Sequence, residues 1–425
     1  MTKKSRRAFL GTLGTAMGGT LLVREGVRQI HSSIRSNSHG TEKQPIPTDS
    51  LRVDRSGRNI TVQRGTLRTD LNSIDAWMSL SGEFTLERES INGSSSSLRL
   101  ASNPIGKIEH VFDEPFNIGE NTICFWLKAL NNVPSQIRIR LLAPDEQNQL
   151  ITSQYLSKDL ANTWFGIEVG PTNKIGSPDS TNISRMQIEV AAEDQAVLLD
   201  RFKTKPTADT GRVMLIFDDN RASVSTAYEE MHRRGLSGAI AVIPDLVNAG
   251  GHLSADQLAT YHADGWDLLS HPQLEEPLPM YSQARQRQEI IRAKEWLVTN
   301  GYQEGADHFV APFGKVSPDT LEIIEVFHYT NYMTSEGLSG TPPTDPLTIN
   351  RVAIDNISHV KRQIQRAARF NMLVVLSAHT VGNQNDQWVS QEDFINILDF
   401  IKGTDVEVVT PIDYWKNEIS RTRSD

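Results

Sequence analysis

From Arg212 onward, strand-like apolar runs alternate with helical ones, and this alternation limits the choice of fold more than any other feature of the chain. The order reads "VMLIF", "SVSTAYEEMHRRG", "AIAVI", "ADQLATYHADG", "WDLLS", "SQARQRQEIIRAKEWLVTNG", "HFVAP", "SPDTLEIIEVF", "YTNYMT", "INRVAI", "SHVKRQIQRAARF", "MLVVLSA", "SQEDFINILDFIKG" and "VEVVT". A strand that hands over to a helix before the next strand pairs in parallel, because the helix carries the chain back across the sheet face. About eight strands with about seven connections, mostly helical, in about 205 residues predict a compact closed barrel of the eightfold kind. Ser254 and Gln257 form a capping box at one helix start, and Pro318 marks another.

Residues 51–205 have a different texture: short alternating segments such as "NITVQ", "SLRLAS", "NTICFWLKAL", "QIRIRLLA", "WFGIEVG" and "MQIEVAA", separated by Gly, Asn, Ser and Pro. Period-two alternation without helical runs predicts an all-β sandwich. The fold class is therefore α/β, a (β/α) barrel over residues 212–420 preceded by an all-β sandwich domain over 51–205. Residues 31–50 are polar and aperiodic, and read as a linker. Residues 1–30 carry paired arginines, Arg6 and Arg7, before an apolar stretch of about 16 residues, Ala8 to Val23, short of the roughly 20 a spanning helix needs. This segment resembles a twin-arginine export signal, which implies an extracellular or cell-surface location. It lacks a clean A-x-A site, and left uncut it would associate the chain with the membrane.

The net charge of −9 makes duplex nucleic acid a poor partner. A single cysteine, Cys124, excludes an intramolecular disulfide and a cysteine-based metal site.

In an α/β barrel the C-terminal strand ends surround one mouth, where chemistry collects. Four predicted strands end in reactive or unusual residues: "LIFDD" at Asp218 and Asp219, "DLLSHP" at His271, "FVAPFG" at Pro312 and Phe313, and "VLSAH" at His379. Taken singly, each has an ordinary reading. Asp219 could cap the helix that starts near Ser223, His271 could be a turn residue before Pro272, His379 a satisfied core histidine, and Glu275 with Glu276 solvated loop charges. His252 in "NAGGHLS" reads as a helix-entry residue or a substrate contact, and Trp266 as core.

Between about Val213 and Ile412 the ordered motifs "FDD", "GWDLLSHPQLE", "VAPF" and "LSAH" resemble the NodB-type polysaccharide deacetylase family. The resemblance implies a deacetylase-type barrel that removes acetyl groups from an N-acetylated polysaccharide, a non-peptide C–N hydrolysis, with a divalent metal, zinc or another first-row ion. It implies Asp218 as general base, Asp219 and His271 as metal ligands, His379 as the acid that protonates the leaving amine, and the Pro312–Phe313 turn as an oxyanion donor. Such an arrangement is chemically coherent: a metal acidifies water and polarises a carbonyl, a neighbouring carboxylate takes the proton, and an imidazole returns one.

Two departures stand out. Glu275 occupies the place of a second ligand histidine, and a carboxylate there gives a harder site. Val310 stands where the family carries the arginine that steadies the base, and Asp355 is a weak candidate for the residue that orients the acid. These departures motivate an alternative, a catalytically inactive glycan-binding protein. A third reading is a glycoside hydrolase using Asp219 and Glu275. In the sandwich, which resembles jelly-roll carbohydrate-binding domains, Trp77, Trp126 and Trp164 are candidate sugar contacts or core residues.

Overall fold

The computed structural model describes residues 46–420, apart from Asp70 and residues 92–94, 120, 131–132, 134–135, 157–159, 171–172, 192–194, 334–336 and 383–388. The expected export segment and most of the expected linker lie outside the described residues. No helix among the described residues is long and apolar enough to cross a membrane.

The alternating segments form two antiparallel six-stranded sheets. One runs in the order Glu83–Glu87, Ser97–Ser102, Gln195–Pro206, Asn121–Leu130 and Trp164–Val169, with Thr66–Thr69 also on Gln195–Pro206. The other runs Asn173–Ile175, Gln149–Tyr155, Gln136–Leu142, Ile183–Ala191, Ile105–Phe116 and Trp77–Ser81. Every second residue points inward, so Ile123, Phe125 and Leu127 of one sheet face Ile137, Ile139, Met186 and Ile188 of the other in one apolar core. Trp77 and Trp126 are buried and Trp164 is half-buried, its Nε1 donating to Glu89 at 3.2 Å. Their apolar bulk belongs to packing, as the core reading expected.

The "NITVQ" segment departs from the expected strand: Ser56–Gln63 is an α-helix. Periodicity cannot separate strand from helix in so short a run, and tertiary contacts decide. Arg58 pairs with Glu325 at 2.9 Å, and Arg64 donates to the Glu418 and Ile419 carbonyls at 2.6 and 3.0 Å. The end of the expected linker is docked as well, with the Ile46 N–H donating to Glu295 at 2.9 Å.

From Gly211 the chain builds a parallel sheet, ordered Ile349–Asn350, Thr330–Met333, His308–Val310, Asp267–Ser270, Ala239–Val242, Gly211–Phe217, Leu373–Ala378 and Val352–Ala353. Ile349–Asn350 pairs only with Thr330–Met333, and Val352–Ala353 only with Leu373–Ala378. These two fragments are consecutive in sequence, separated by Arg351 alone, so one stave closes the ring by passing from one neighbour to the other. The expected eightfold barrel is thus a nearly closed one. The last strand, Val406–Val408, pairs beside the start of Gly211–Phe217 below the point where Ala239–Val242 joins it.

Alternation sorts the barrel residues into two layers. Val213, Leu215 and Phe217 face the surrounding helices, against Met231, Ile364 and Phe394. Met214, Ile216, Leu269, Val310, Tyr332, Ile349 and Val375 fill the lumen, with Tyr414 and Ile419 in the same cluster. The sandwich packs on the barrel through the strand Trp164–Val169. A Cβ at Gly166 would lie 2.8 Å from Thr344, so glycine permits the approach. Lys205 and Glu168 of the sandwich are buried as a contact pair there, with Lys205 also on the Pro342 carbonyl and the Thr344 hydroxyl donating to Glu168 at 2.8 Å.

At the barrel bottom, Asp267 accepts from the Ile412 N–H at 2.7 Å, and burial pushes its carboxyl up to about 7. The folded value lies above the unfolded value of about 3.9. Stability from this group is therefore full below about pH 4 and is lost as pH rises through about 7. Asp267→Asn is expected to flatten that dependence, removing a loss on the order of 4 kcal/mol across the window. Urea unfolding of both proteins from pH 4.5 to 8 checks this, and parallel profiles would refute it.

Candidate active site at the barrel mouth

The lumen-facing rows continue upward past the apolar layer, and what they carry next is polar. Asp218 follows Met214 and Ile216, His271 follows Leu269, Arg351 follows Ile349, and His379 follows Val375 and Ser377 at the same period of two. Residues from four separated stretches therefore meet above one lumen.

Asp218 is buried and accepts from Arg351 Nη1 at both oxygens, at 2.7 and 3.0 Å. Arg351 is itself only 2% exposed. A guanidinium thus reaches the predicted base although Val310 occupies the motif position, packed in the apolar lumen. The sequence reading missed Arg351. Its signal was available: an arginine two residues after lumen-facing Ile349 is a charge inside a strand, and buried charges need partners.

The next residue breaks the strand. Asp219 sits at φ 66° and Asn220 at φ 39°, left-handed conformations that turn the chain at the rim. Asn220 fixes the turn: its side chain accepts from the Ile243 N–H at 2.9 Å and its carbonyl from the Leu253 N–H at 2.8 Å. Asp219 is not a helix cap, since Ser223 precedes the helix Val224–His232 without a side-chain cap bond. Its carboxylate instead faces His271 Nε2 at 3.5 Å, His379 Nε2 at 3.9 Å and Arg221 at 3.4 Å. His379 Nε2 is also 4.0 Å from Asp218, so this half-exposed imidazole lies beside both carboxylates.

His271 is buried and its Nδ1 lies 2.7 Å from the Val310 carbonyl. A carbonyl can only accept, so Nδ1 carries the hydrogen and neutral His271 presents a lone pair on Nε2. Two acceptors then face each other, and a positive charge belongs between them. Burial would lower the His271 pKa, but hydrogen bonding to Asp219, the charges of Asp218 and Asp219, and the Val310 carbonyl raise it. Burial likewise works against the Asp219 carboxylate, yet His271, His379 and Arg221 hold it well below the usual carboxylate range.

The same spacing suits a shared cation. Ligands at about 2.0–2.2 Å in tetrahedral array stand about 3.4 Å apart, against 3.5 Å here. The carbonyl behind His271 is the kind of partner that fixes a ligating imidazole. Glu275, the expected third ligand, is exposed on the loop four residues on. Among the described residues no group of three His, Cys, Asp or Glu side chains is gathered to hold an ion. The donor set therefore fits a cation at two positions, and Glu275 does not join it.

The remaining expectations divide. Pro312 is buried and Phe313 exposed in the turn after His308–Val310, where the Gly314 N–H donates to the Ala311 carbonyl at 2.9 Å. Asp355 is exposed, and the side chain of its neighbour Asn356 caps the helix Ile357–Phe370. His252 lies on a loop joined to the Asp219 turn, with the Ala222 N–H on the Gly251 carbonyl at 2.9 Å. Helix entry belongs to Ser254, whose capping box with Gln257 is formed. Trp266 is core, stacked with Phe217 at 5.6 Å.

Residues 205–332 match the family model described as polysaccharide deacetylase. The matched stretch includes Asp218, Asp219, His271 and the Pro312–Phe313 turn, and ends before Arg351 and His379. No curated protein matches the chain. Among solved structures, a family 4 carbohydrate esterase from Streptomyces lividans in complex with acetate is similar at 15% identity, covering 47% of this chain and 92% of that one, TM-score 0.36. A family 4 acetyl xylan esterase from Clostridium thermocellum in complex with a cobalt ion is similar at 15% identity, covering 48% and 90%, TM-score 0.35. A family 11 carbohydrate-binding module from Clostridium thermocellum, in complex with a mixed-linked tetrasaccharide, is similar at 13% identity, covering 34% and 96%, TM-score 0.27.

Proposed function

We propose that the chain is a hydrolase that removes acetyl groups from an N-acetylated polysaccharide, working outside the cytoplasmic membrane after export by the twin-arginine route. The observation that carries this is the convergence of Asp218, Asp219, His271 and His379 within 4.0 Å contacts at one barrel mouth. The family match over residues 205–332 supports the same reading.

Asp219 and His271 would hold a divalent cation, which would supply Lewis acidity toward the acetyl carbonyl and toward water. The chain's own groups do the proton work. Asp218, held at both oxygens by Arg351, takes a proton from the attacking water at Oδ2, the oxygen nearer His379. His379, reached by solvent, gives a proton from Nε2 to the departing amine. The Pro312–Phe313 turn follows the strand whose Val310 carbonyl orients His271.

Purified protein with zinc or cobalt is expected to release acetate from an N-acetylglucosamine polymer, and calorimetric zinc binding is expected to disappear in His271→Ala. A folded protein that binds zinc and releases no acetate from several acetylated glycans would refute the catalytic reading. That no third ligand is gathered among the described residues favours one second reading, a glycan-binding protein without turnover, and glycan binding in that same experiment would support it.

A further inference from the structure

We infer that Arg221 receives the carboxylate of an acidic sugar in the glycan, making Arg221 a specificity-determining residue at the barrel mouth. This rests on the glycan reading above. Among the described residues two arginines touch the carboxylates of the site, and they are held in opposite ways. Arg351 is buried with Nη1 on both oxygens of Asp218, at 2.7 and 3.0 Å. The Arg221 side chain is 44% exposed, and its Nη2 donates to Asp219 Oδ2 at 3.4 Å. That is long for a charge-assisted hydrogen bond, which runs about 2.7–2.9 Å. A guanidinium carries about five N–H donors, and the rest of those on Arg221 make no hydrogen bond among the described residues. Nor does Arg221 fill the space between Asp219 and His271, because Oδ1 is the oxygen that faces His271, at 3.5 Å. A cation held there and an anion on Arg221 are therefore compatible.

Local structure anchors the root of this side chain. After the left-handed turn at Asp219 and Asn220, Arg221 is extended, at φ −64° and ψ 143°, and bridges His252 in antiparallel fashion. The two loops are tied by the Leu253 N–H on the Asn220 carbonyl at 2.8 Å and the Ala222 N–H on the Gly251 carbonyl at 2.9 Å. Residues opposite one another across such a bridge share a face, so His252 stands beside Arg221. Its Nδ1 donates to the Gly250 carbonyl at 3.2 Å. Burial lowers the His252 pKa, and Arg221 lowers it further against the Gly250 carbonyl and Asp219. A neutral imidazole leaves Arg221 as the charge that selects. Glu275 and Glu276, exposed on the loop after His271, form no ion pair with it. A planar guanidinium matches a carboxylate with two parallel N–H groups, and a neutral acetamido sugar has no such partner to offer.

Binding separates this role from one in which Arg221 merely steadies Asp219. The probes are a hexamer alternating N-acetylglucosamine with glucuronate and a neutral hexamer of N-acetylglucosamine. The unaltered protein is expected to bind the acidic hexamer about tenfold more tightly by calorimetry, the scale of one hydrogen-bonded charge pair. Arg221→Gln is expected to erase that preference while leaving affinity for the neutral hexamer within about twofold, and Arg221→Lys to keep part of it. Equal affinity for the two hexamers in the unaltered protein would overturn the inference, as would no binding of either. An Arg221→Gln variant that loses both hexamers and zinc alike would assign Arg221 to holding Asp219 and overturn it too. Acetate release plays no part in this readout, so failure of the hydrolytic reading leaves a separate mark.

Discussion

Asp218→Asn lowers acetate release by about 10²–10⁴-fold, the usual contribution of a positioned general base, while the protein remains folded. The isostere keeps a side-chain oxygen for Arg351 Nη1, which now contacts both carboxylate oxygens at 2.7 and 3.0 Å. What disappears is the charge that accepts a proton. Asp219→Asn acts by another route, because its carboxylate faces His271 rather than Arg351. Loss of zinc affinity should therefore accompany the Asp219 variant and be slight in the Asp218 variant. Acetate assays beside zinc calorimetry check the pair, and an Asp218→Asn enzyme with more than about a tenth of the original rate would remove this residue from the base position.

The second large effect is on stability. Arg351 and Asp218 are both buried, with side chains 3% and 6% exposed, so neither charge can turn to water if the other is removed. Arg351→Met strands the carboxylate and is expected to cost about 3–5 kcal/mol in urea unfolding. Adding Asp218→Asn should recover a substantial part of that loss, because the double variant no longer buries an unpaired charge. Additive losses would mean that the two side chains do not act as a pair. Arg351→Lys should keep more stability than methionine and still impair acetate release, since a single ammonium holds two carboxylate oxygens less rigidly than a guanidinium.

Much of this was legible in the sequence because strands have a period of two. The apolar runs "LIFDD", "DLLSHP" and "VLSAH" each end on a reactive residue, and the structure brings Asp218, Asp219, His271 and His379 together. Arg351 escaped because its strand was read for its apolar letters. The run "INRVAI" is really two pairs of ladder residues around a charge, and its partner Asp218 is 133 residues away in sequence. Glu275 illustrates the opposite limit. The resemblance implied a ligand place for Glu275 beside His271, but the loop after Pro272 is irregular and the side chain ends in solvent. The helix Ser56–Gln63 was opaque for a third reason: its contacts are with Glu325, Asp345, Glu418 and Ile419, none of them local.

The stave that closes the barrel changes neighbours at a single residue, and that residue is Arg351. The seam of the cylinder is thus also the place from which Asp218, the proposed base, is held. Only two residues on each side hold the seam by ladder pairing, so the ion pair reaching across to Gly211–Phe217 is a cross-brace for the whole ring. Fraying of the seam and loss of Asp218's counter-charge are the same event, so under the proposed function acetate release would be a local gauge of whether the cylinder is shut.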